Sequence, residues 1–504
     1  MHSADRNGDN VALMSPNTTV PSRNRRPLGS ALLARVAAVA LLALPAAASA
    51  TIQGPDLSTY DTRPADLVWQ ELVRLHKVPA TIDGRGIRVA LIDSGVADVP
   101  DLRGNVIARV DFTEERNGLD TYGHGTHMAG LIAGDGTASA GQWVGSAPGA
   151  DLISLKVASW NGATDTSSVI AALRWVVTNK ARYNIRVVNL SFGTNGRQSY
   201  RSDPLDRAVE RAWEAGIVVV ASAGNLGPLA GSVSKPGDDP RILTVGAFDD
   251  ENSVIREDDH IPDFSSRGLT QDGVEKPEIV APGVSIVSLR APGSTVDEFR
   301  ATARLDQDYF KGTGTSQAAA IVSGVAARVI QANPRLTPDQ VKGILIDTAN
   351  DNLVGLPGAG HGAVDARKAV EAARGIRGWK RLASILPSGT GTGTIEGSRG
   401  DGLVYADLNR DGVSELVTGE MEVLGTPYAG ATVASLPWTP QTWATSPWAA
   451  VAVESPGFTP TPLGTPAWGG ASPDVESWGA KGWAQAGWDA KGWAAKGWAA
   501  TLWN

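Results

Sequence analysis

An aspartate, a histidine and a serine stand in three short glycine-bounded words of this chain: VALIDSGV around Asp93, HGTHMAG around His124 and GTGTSQAAA around Ser316. Serine is a poor nucleophile at its ordinary pKa. It attacks a carbonyl only when an imidazole takes its proton and a carboxylate fixes that imidazole's tautomer. The three residue types in one α/β-patterned segment therefore predict acyl transfer, with a serine endopeptidase as the leading reading. Taken singly, each has a plainer role. A strand-end Asp is commonly a turn former or helix cap, and a Ser opening a helix is commonly an N-cap. His124 and His127 have the i, i+3 spacing of a metal pair, but no third ligand motif accompanies them, and His127 is better read as packing. Asn225, in the turn Ser222-Ala223-Gly224-Asn225, adds an amide donor that could join the Ser316 N–H in stabilising a tetrahedral oxyanion. As a lone turn residue it would mean nothing.

From about Gly86 to Arg374, short β-branched runs alternate with amphipathic stretches. That pattern predicts an α/β fold: a doubly wound, mostly parallel sheet with helices on both faces. Strand candidates are Ile87 to Ile92, Val187 to Leu190, Ile217 to Ala221 and Ile242 to Val245. Helix candidates are Thr126 to Ala133, Ser167 to Thr178, Leu205 to Ala215, Ser316 to Gln331 and Pro338 to Thr348, with Gly216 placed as a C-cap. Ligands of such sheets sit beyond the carboxyl ends of the strands, and Asp93 and Asn225 both fall just past a strand. Ser316 opens its helix, where free N–H groups favour an anion.

In the motif order Asp, His, Asn, Ser, and in the words around each, the segment from roughly Val68 to Arg374 resembles the subtilisin-like serine proteases, the subtilase family. The resemblance implies Asp93, His124 and Ser316 as a triad and Asn225 as the oxyanion donor. It implies protein or peptide substrates and no cofactor for the chemistry. It further implies that Ser191, Phe192 and Gly193 pair with the substrate backbone as an added strand. Ser222, Ala223 and Gly224 would wall the pocket for the side chain preceding the cut, Ser234 would floor it, and Lys235-Pro236 falls where some relatives carry a cis proline. Gln317, Ala320 and Ile321 replace the family's common Met, Pro and His. None is a reacting group, and without the proline the helix after Ser316 is expected to run straighter.

The 504 residues leave room for one large domain with appendages, and the 42% apolar content is that of a globular protein. A net charge of −8 offers no broad cationic surface for nucleic acid, and the absence of cysteine excludes disulfides, Cys-ligated zinc and a thiol nucleophile. Residues 1–50 read as a signal peptide. Arg23, Arg25 and Arg26 precede the apolar run Val36 to Leu44 and the small-residue pattern Ala48-Ser49-Ala50, with cleavage after Ala50. Met14 is an alternative start, and Arg25-Arg26-Pro27-Leu28 is a weak twin-arginine match. Residues 51–85 are a short extension, too short for the folding-assisting propeptide of many relatives, and 86–375 form the peptidase domain.

Residues 376–437 are expected to be a Gly/Thr-rich linker, densest at Ser388 to Thr394, and a small acidic loop. There Asp407, Asn409, Asp411 and Glu415 alternate around a glycine in a calcium-loop pattern, with Thr418 where Glu is usual; an acidic solvated turn is the plainer reading. In the tail, 438–504, Trp438, Trp443, Trp448, Trp468, Trp478, Trp483, Trp488, Trp493, Trp498 and Trp503 keep a five-residue register shared by Val453, Phe458 and Leu463. Five residues advance about 140° on a helix and switch faces on a strand, so a turning coil with one anchor per rung, or partner-induced order, is what would align the rings. The pattern, with Lys481, Lys491 and Lys496 beside the later rings, resembles Trp-rich tails of some secreted bacterial proteases. The plain reading is a sticky, Gly-, Ala- and Pro-rich tail. The sharper one is a binding strip for cell envelope or another copy of the tail. Together these readings predict a secreted, extracellular or cell-wall-associated enzyme. The alternative is a catalytically silent subtilase-fold protein that binds surfaces through its tail.

Overall fold

The computed structural model describes residues 68–375, 387–409, 411–430 and 435–456. The expected signal peptide, residues 51–67 of the extension, Phe458, Leu463 and the tryptophans from Trp468 onward lie outside them.

Seven parallel strands build the main sheet: β1 (Arg88–Asp93), β2 (Val106–Asp111), β3 (Asp151–Lys156), β4 (Ile185–Leu190), β5 (Val218–Ser222), β6 (Leu243–Phe248) and β7 (Ile279–Pro282). Their order is β2-β3-β1-β4-β5-β6-β7, and an eighth strand, Val453–Pro456, pairs antiparallel with β2 at the edge. β1, β4, β5 and β6 are nearly continuous apolar runs because both faces are covered, and Val89 to Ile92 and Val218 to Ala221 are wholly buried. β2, β3 and β7 escaped the sequence reading. VIARVD carries Arg109 inside the run, DLISLK is a four-residue run bounded by charges, and IVAP ends in proline. The charges are tolerated because each has a partner. Arg109 pairs with Asp98, and Lys156 donates to the Ser94 carbonyl at 2.9 Å and to Thr121 Oγ1 at 3.0 Å.

Helices cover both faces of the sheet. α1 (His124–Ala133) packs on α4 (Thr315–Ala332), while α2 (Thr166–Tyr183) packs on α3 (Pro204–Glu214); α5 (Pro338–Asp347) and α6 (Ala366–Gly375) follow. Local chemistry sets the ends. Asp165 caps α2 through Ser167 N at 2.8 Å, and Asp203 caps α3 through Leu205 N at 2.8 Å with Pro204 at the first helical position. Gly216, at φ 83°, follows α3 in the left-handed region, as expected of it. α4 runs unbroken for 18 residues, and no side chain caps its N-terminus.

The Gly/Thr-rich stretch read as a linker lies along α3. Gly389 N donates to both carboxylate oxygens of the buried Glu210, at 2.9 and 2.8 Å, and Gly393 N to the Ser202 carbonyl at 2.7 Å. Glycine permits that approach, since a Cβ at 389 would stand 2.6 Å from the Tyr200 carbonyl. Ile395, Val404, Val417, Tyr428 and Trp448 join the main core. The first three tryptophans of the five-residue register also meet the domain. The Arg211 guanidinium lies 5.0 Å from the Trp438 ring and that of Arg174 5.9 Å from Trp443, while Trp443 and Trp448 both touch Phe112.

Candidate active site

β1 ends in Asp93, whose carboxylate is held at the sheet's carboxyl edge. His124, the first residue of α1, donates from Nδ1 to Asp93 Oδ1 at 2.7 Å, and both side chains are buried. That single bond fixes the imidazole's tautomer, leaving Nε2 as the nitrogen able to take a proton. Gly125 is required beside it, because a Cβ there would lie 2.1 Å from the Gly95 carbonyl.

A second layer, missed by the sequence reading, braces the pair. Ser94 N donates to Asp93 Oδ1 at 2.8 Å, and Ser94 Oγ donates to Asp120 at 2.8 Å while accepting from Gly125 N at 2.9 Å. Asp120 also accepts from Gly123 N at 2.7 Å and from Thr126 N at 2.7 Å, tying the start of α1 to the end of β1. Burial raises the Asp120 carboxyl, opposed by those bonds and by Lys156. The only signal was position: Ser94 follows Asp93 directly, and Asp120 precedes His124 by four residues.

His127 does not share a ligand sphere with His124. Its Nε2 donates to the Phe310 carbonyl at 3.2 Å, and burial, followed by the neighbouring His124, pushes its pKa down to about 3. A neutral packing histidine results. Among the described residues, the one group of three carboxylate or imidazole ligands within mutual reach is Asp249, Glu251 and His260. The 407–415 turn is not such a group. Asp407 accepts from Asp411 N and Gly412 N at 3.0 and 2.9 Å, Asp411 from Val413 N at 2.8 Å, and Glu415 from Leu408 N and Asn409 Nδ2 at 3.0 and 2.8 Å. These oxygens serve the turn itself.

Ser316 is the second residue of α4, so it is not the N-cap. Its hydroxyl donates to the Ser191 carbonyl at 2.8 Å, and Ser191 Oγ returns a bond to the Ser316 carbonyl at 3.0 Å. Ser191 follows Leu190, which pairs with Ile92, so Ser316 is tied to the strand end next to Asp93. Asn225 faces the same helix start. Thr315 N and Oγ1 both donate to its Oδ1 at 3.0 Å, which assigns the amide and turns Nδ2 the other way. A Cβ on Gly314 would come within 3.2 Å of that nitrogen, so glycine keeps space before the donor.

The expected substrate residues converge as well. A Cβ on Gly224 would meet Ser234 Oγ at 2.3 Å, and one on Gly193 would meet Ser234 Cβ at 2.7 Å and the Lys235 carbonyl at 2.5 Å. Ser234 N donates to the Ala223 carbonyl at 2.9 Å, and Thr194 and Lys235 exchange backbone bonds at 3.0 and 2.8 Å. Ser222, Ala223, Gly224, Ser234 and the segment Ser191 to Gly193 thus lie side by side, and the Lys235-Pro236 peptide is cis.

A parallel sheet with this carboxyl edge defines a serine peptidase of the subtilisin type. Residues 84–371, more than half of the chain, match the Subtilase family model, Peptidase_S8, and the chain belongs to that family of serine-type endopeptidases. Over 303 residues it is 41% identical to serine protease AprX of Bacillus subtilis (strain 168), covering 58% of this chain and 67% of that protein. Over 288 residues it is 34% identical to a subtilisin of Bacillus sp. (strain TA39), covering 55% of this chain and 64% of that protein. The chain therefore spans about two thirds of the length of these curated relatives. A solved protease from Pseudoalteromonas arctica PAMC 21717 shares the fold, with TM-score 0.50 at 24% identity over 61% of this chain and 97% of that one.

Proposed function

We propose that this chain is a secreted serine endopeptidase that cuts peptide bonds through an acyl-enzyme, with Ser316 as nucleophile, His124 as general base and acid, and Asp93 as the carboxylate that holds His124. The observation that carries this reading is the buried 2.7 Å bond between His124 Nδ1 and Asp93, set at the sheet edge to which the Ser316 hydroxyl is also bonded. On substrate entry Ser316 Oγ turns from the Ser191 carbonyl toward His124 Nε2, loses its proton there and attacks the carbonyl carbon. The tetrahedral oxyanion is met by Asn225 Nδ2 and by N–H groups at the uncapped start of α4. His124 then passes the proton to the leaving amine, and water releases the acyl group by the reverse roles.

The substrate backbone lies along Ser191 to Gly193 as an added strand, and the side chain before the cut enters the wall made by Gly224 and Ser234. The family's hydrolysis uses no cofactor, and the 407–415 loop is read as an acidic turn rather than a calcium site. Export rests on the signal-peptide pattern of residues 1–50, and envelope contact on the tryptophan register beyond the domain. A fluorophosphonate probe tests the central claim: it modifies Ser316 in the wild-type protein and leaves Ser316→Ala unlabelled. That substitution lowers kcat on casein by a factor on the order of 10⁶, its size in subtilisin. Folded wild-type protein that resists the probe would be a silent scaffold instead.

A further inference from the structure

We infer that the segment 394–401, which lies beyond the family match, braces the substrate-binding edge, and that Arg399 is the positioning residue anchoring it. The inference rests on the reading above that Ser191 to Gly193 and Ser234 hold substrate.

Arg399 is 1% exposed, and all of its guanidinium donors are used. Nε donates to Asp165 Oδ2 at 2.6 Å and Nη2 to Asp165 Oδ1 at 3.4 Å. Nη1 donates to the Gly419 carbonyl at 2.8 Å and to Glu396 at 3.1 Å, and Nη2 also reaches the Met421 carbonyl. The ion pair therefore fastens the short helix Ile395–Arg399 to the cap of α2 and to the strand-and-turn segment that follows it. A buried fork of this kind is rigid, and neither partner tolerates the loss of the other.

From this anchor the segment reaches both halves of the substrate wall. Thr194, next to Gly193, donates from Oγ1 to the Ser398 carbonyl at 2.5 Å. Asn195 and Asp401 bond reciprocally, Asn195 Nδ2 to Asp401 at 2.8 Å and Asp401 N to Asn195 Oδ1 at 2.9 Å. Ser398 Oγ donates to Asp203 at 2.9 Å. Asp203 lies 3.6 Å from Lys235 Nζ, which is buried and also bonded to Asp206 at 2.6 Å and Asp238 at 2.7 Å. Lys235 is the residue after Ser234, and its backbone clamps Thr194. One short segment thus holds the turn leaving the substrate strand and, through Asp203, the lysine behind the pocket floor. Asp93 and His124 are held by β1 and α1, and Ser316 by α4 and by Ser191 at the end of β4, whereas the brace grips Thr194 and Asn195 further on, so releasing it loosens the grip on an extended peptide more than it moves the nucleophile.

The test is Arg399→Met beside Arg399→Lys, assayed with a six-residue peptide amide and, separately, with a small fluorophosphonate. KM for the peptide rises about tenfold in Arg399→Met, while kcat and the fluorophosphonate rate stay within about twofold, and Arg399→Lys lies between. Asp401→Ala, exposed and outside the core, moves KM the same way by a smaller factor. An unchanged KM in Arg399→Met overturns the inference, and so does a fluorophosphonate rate that falls as far as peptide turnover. If wild-type protein is not labelled, the peptidase reading has failed. Amide exchange then decides on the brace alone: faster exchange at 192–196 and 234–235 in Arg399→Met, with α4 unchanged, supports it, and unaltered exchange there overturns it.

Discussion

Asn225 shows how one side chain can be aimed by its neighbours. Thr315 occupies its carbonyl oxygen twice, so the amide cannot flip without breaking two bonds. Asn225→Ala therefore removes a preset donor: kcat falls roughly 10² to 10³-fold with KM nearly unchanged, as steady-state kinetics would record. His127 acts on stability. Unfolded, it binds a proton below about pH 6.5; folded, it does so only near 3, so between these values the unfolded state holds more protons and stability drops as the pH falls. Above pH 6.5 that contribution is fully present. His127→Gln accordingly unfolds at lower pH than wild type relative to its own neutral stability, seen as a shallower slope of melting temperature between pH 6.5 and 3.5. Asp93, His124, Ser316 and Asn225, the residues proposed to react, could be picked out in the sequence because each stands in a distinctive glycine-bounded word. Ser94, Asp120 and Lys156 could not, because a serine, a buried acid and a buried lysine announce nothing until the ends of β1, β3 and α1 are brought together.

At the scale of elements, β3 and β7 are as buried as β1, so what made a strand recognisable was an uninterrupted β-branched run and not burial itself. β2 and β3 contain buried Arg109 and Lys156, whose partners Asp98, Ser94 and Thr121 are remote in sequence, so their run looked interrupted. The supposed linker failed differently. Glycine and threonine signal flexibility by composition, but here Gly389 supplies an N–H to both oxygens of the buried Glu210 and Thr390 bonds the Arg201 carbonyl. The 435–456 segment likewise packs on the domain, with two single-turn helices at Pro440–Ala444 and Pro447–Val451 carrying one ring each. Trp448 is its buried anchor, so Trp448→Ala costs about 3 kcal/mol in urea-induced unfolding. A change below about 0.5 kcal/mol would mean the ring does not belong to the core.

For the molecule as a whole, the family match ends at residue 371, but the structural unit does not. Asp165, Asp203 and Glu210 each spend hydrogen bonds on residues 389–399, and Ile395, Val404 and Tyr428 fill the same core as the sheet. Deleting residues 376–504 removes the bonds those buried carboxylates accept from Arg399, Ser398 and Gly389 and uncovers the core that Ile395, Val404 and Tyr428 fill, so the melting temperature falls by roughly 10 °C or more in calorimetry. A truncated protein as stable as the full chain would show the appendage to be dispensable.

The edge strand Val453–Pro456 carries one more consequence. Val453 stands opposite Asp111 and Pro456 opposite Ala108, so this stretch runs down β2 from the carboxyl edge to the amino edge. It masks the open backbone groups of an edge that could otherwise recruit another chain. Its direction matters too: at Pro456, opposite Ala108, the described chain is heading away from the proposed cutting edge, so the open side of β2 is covered without crowding the cleft.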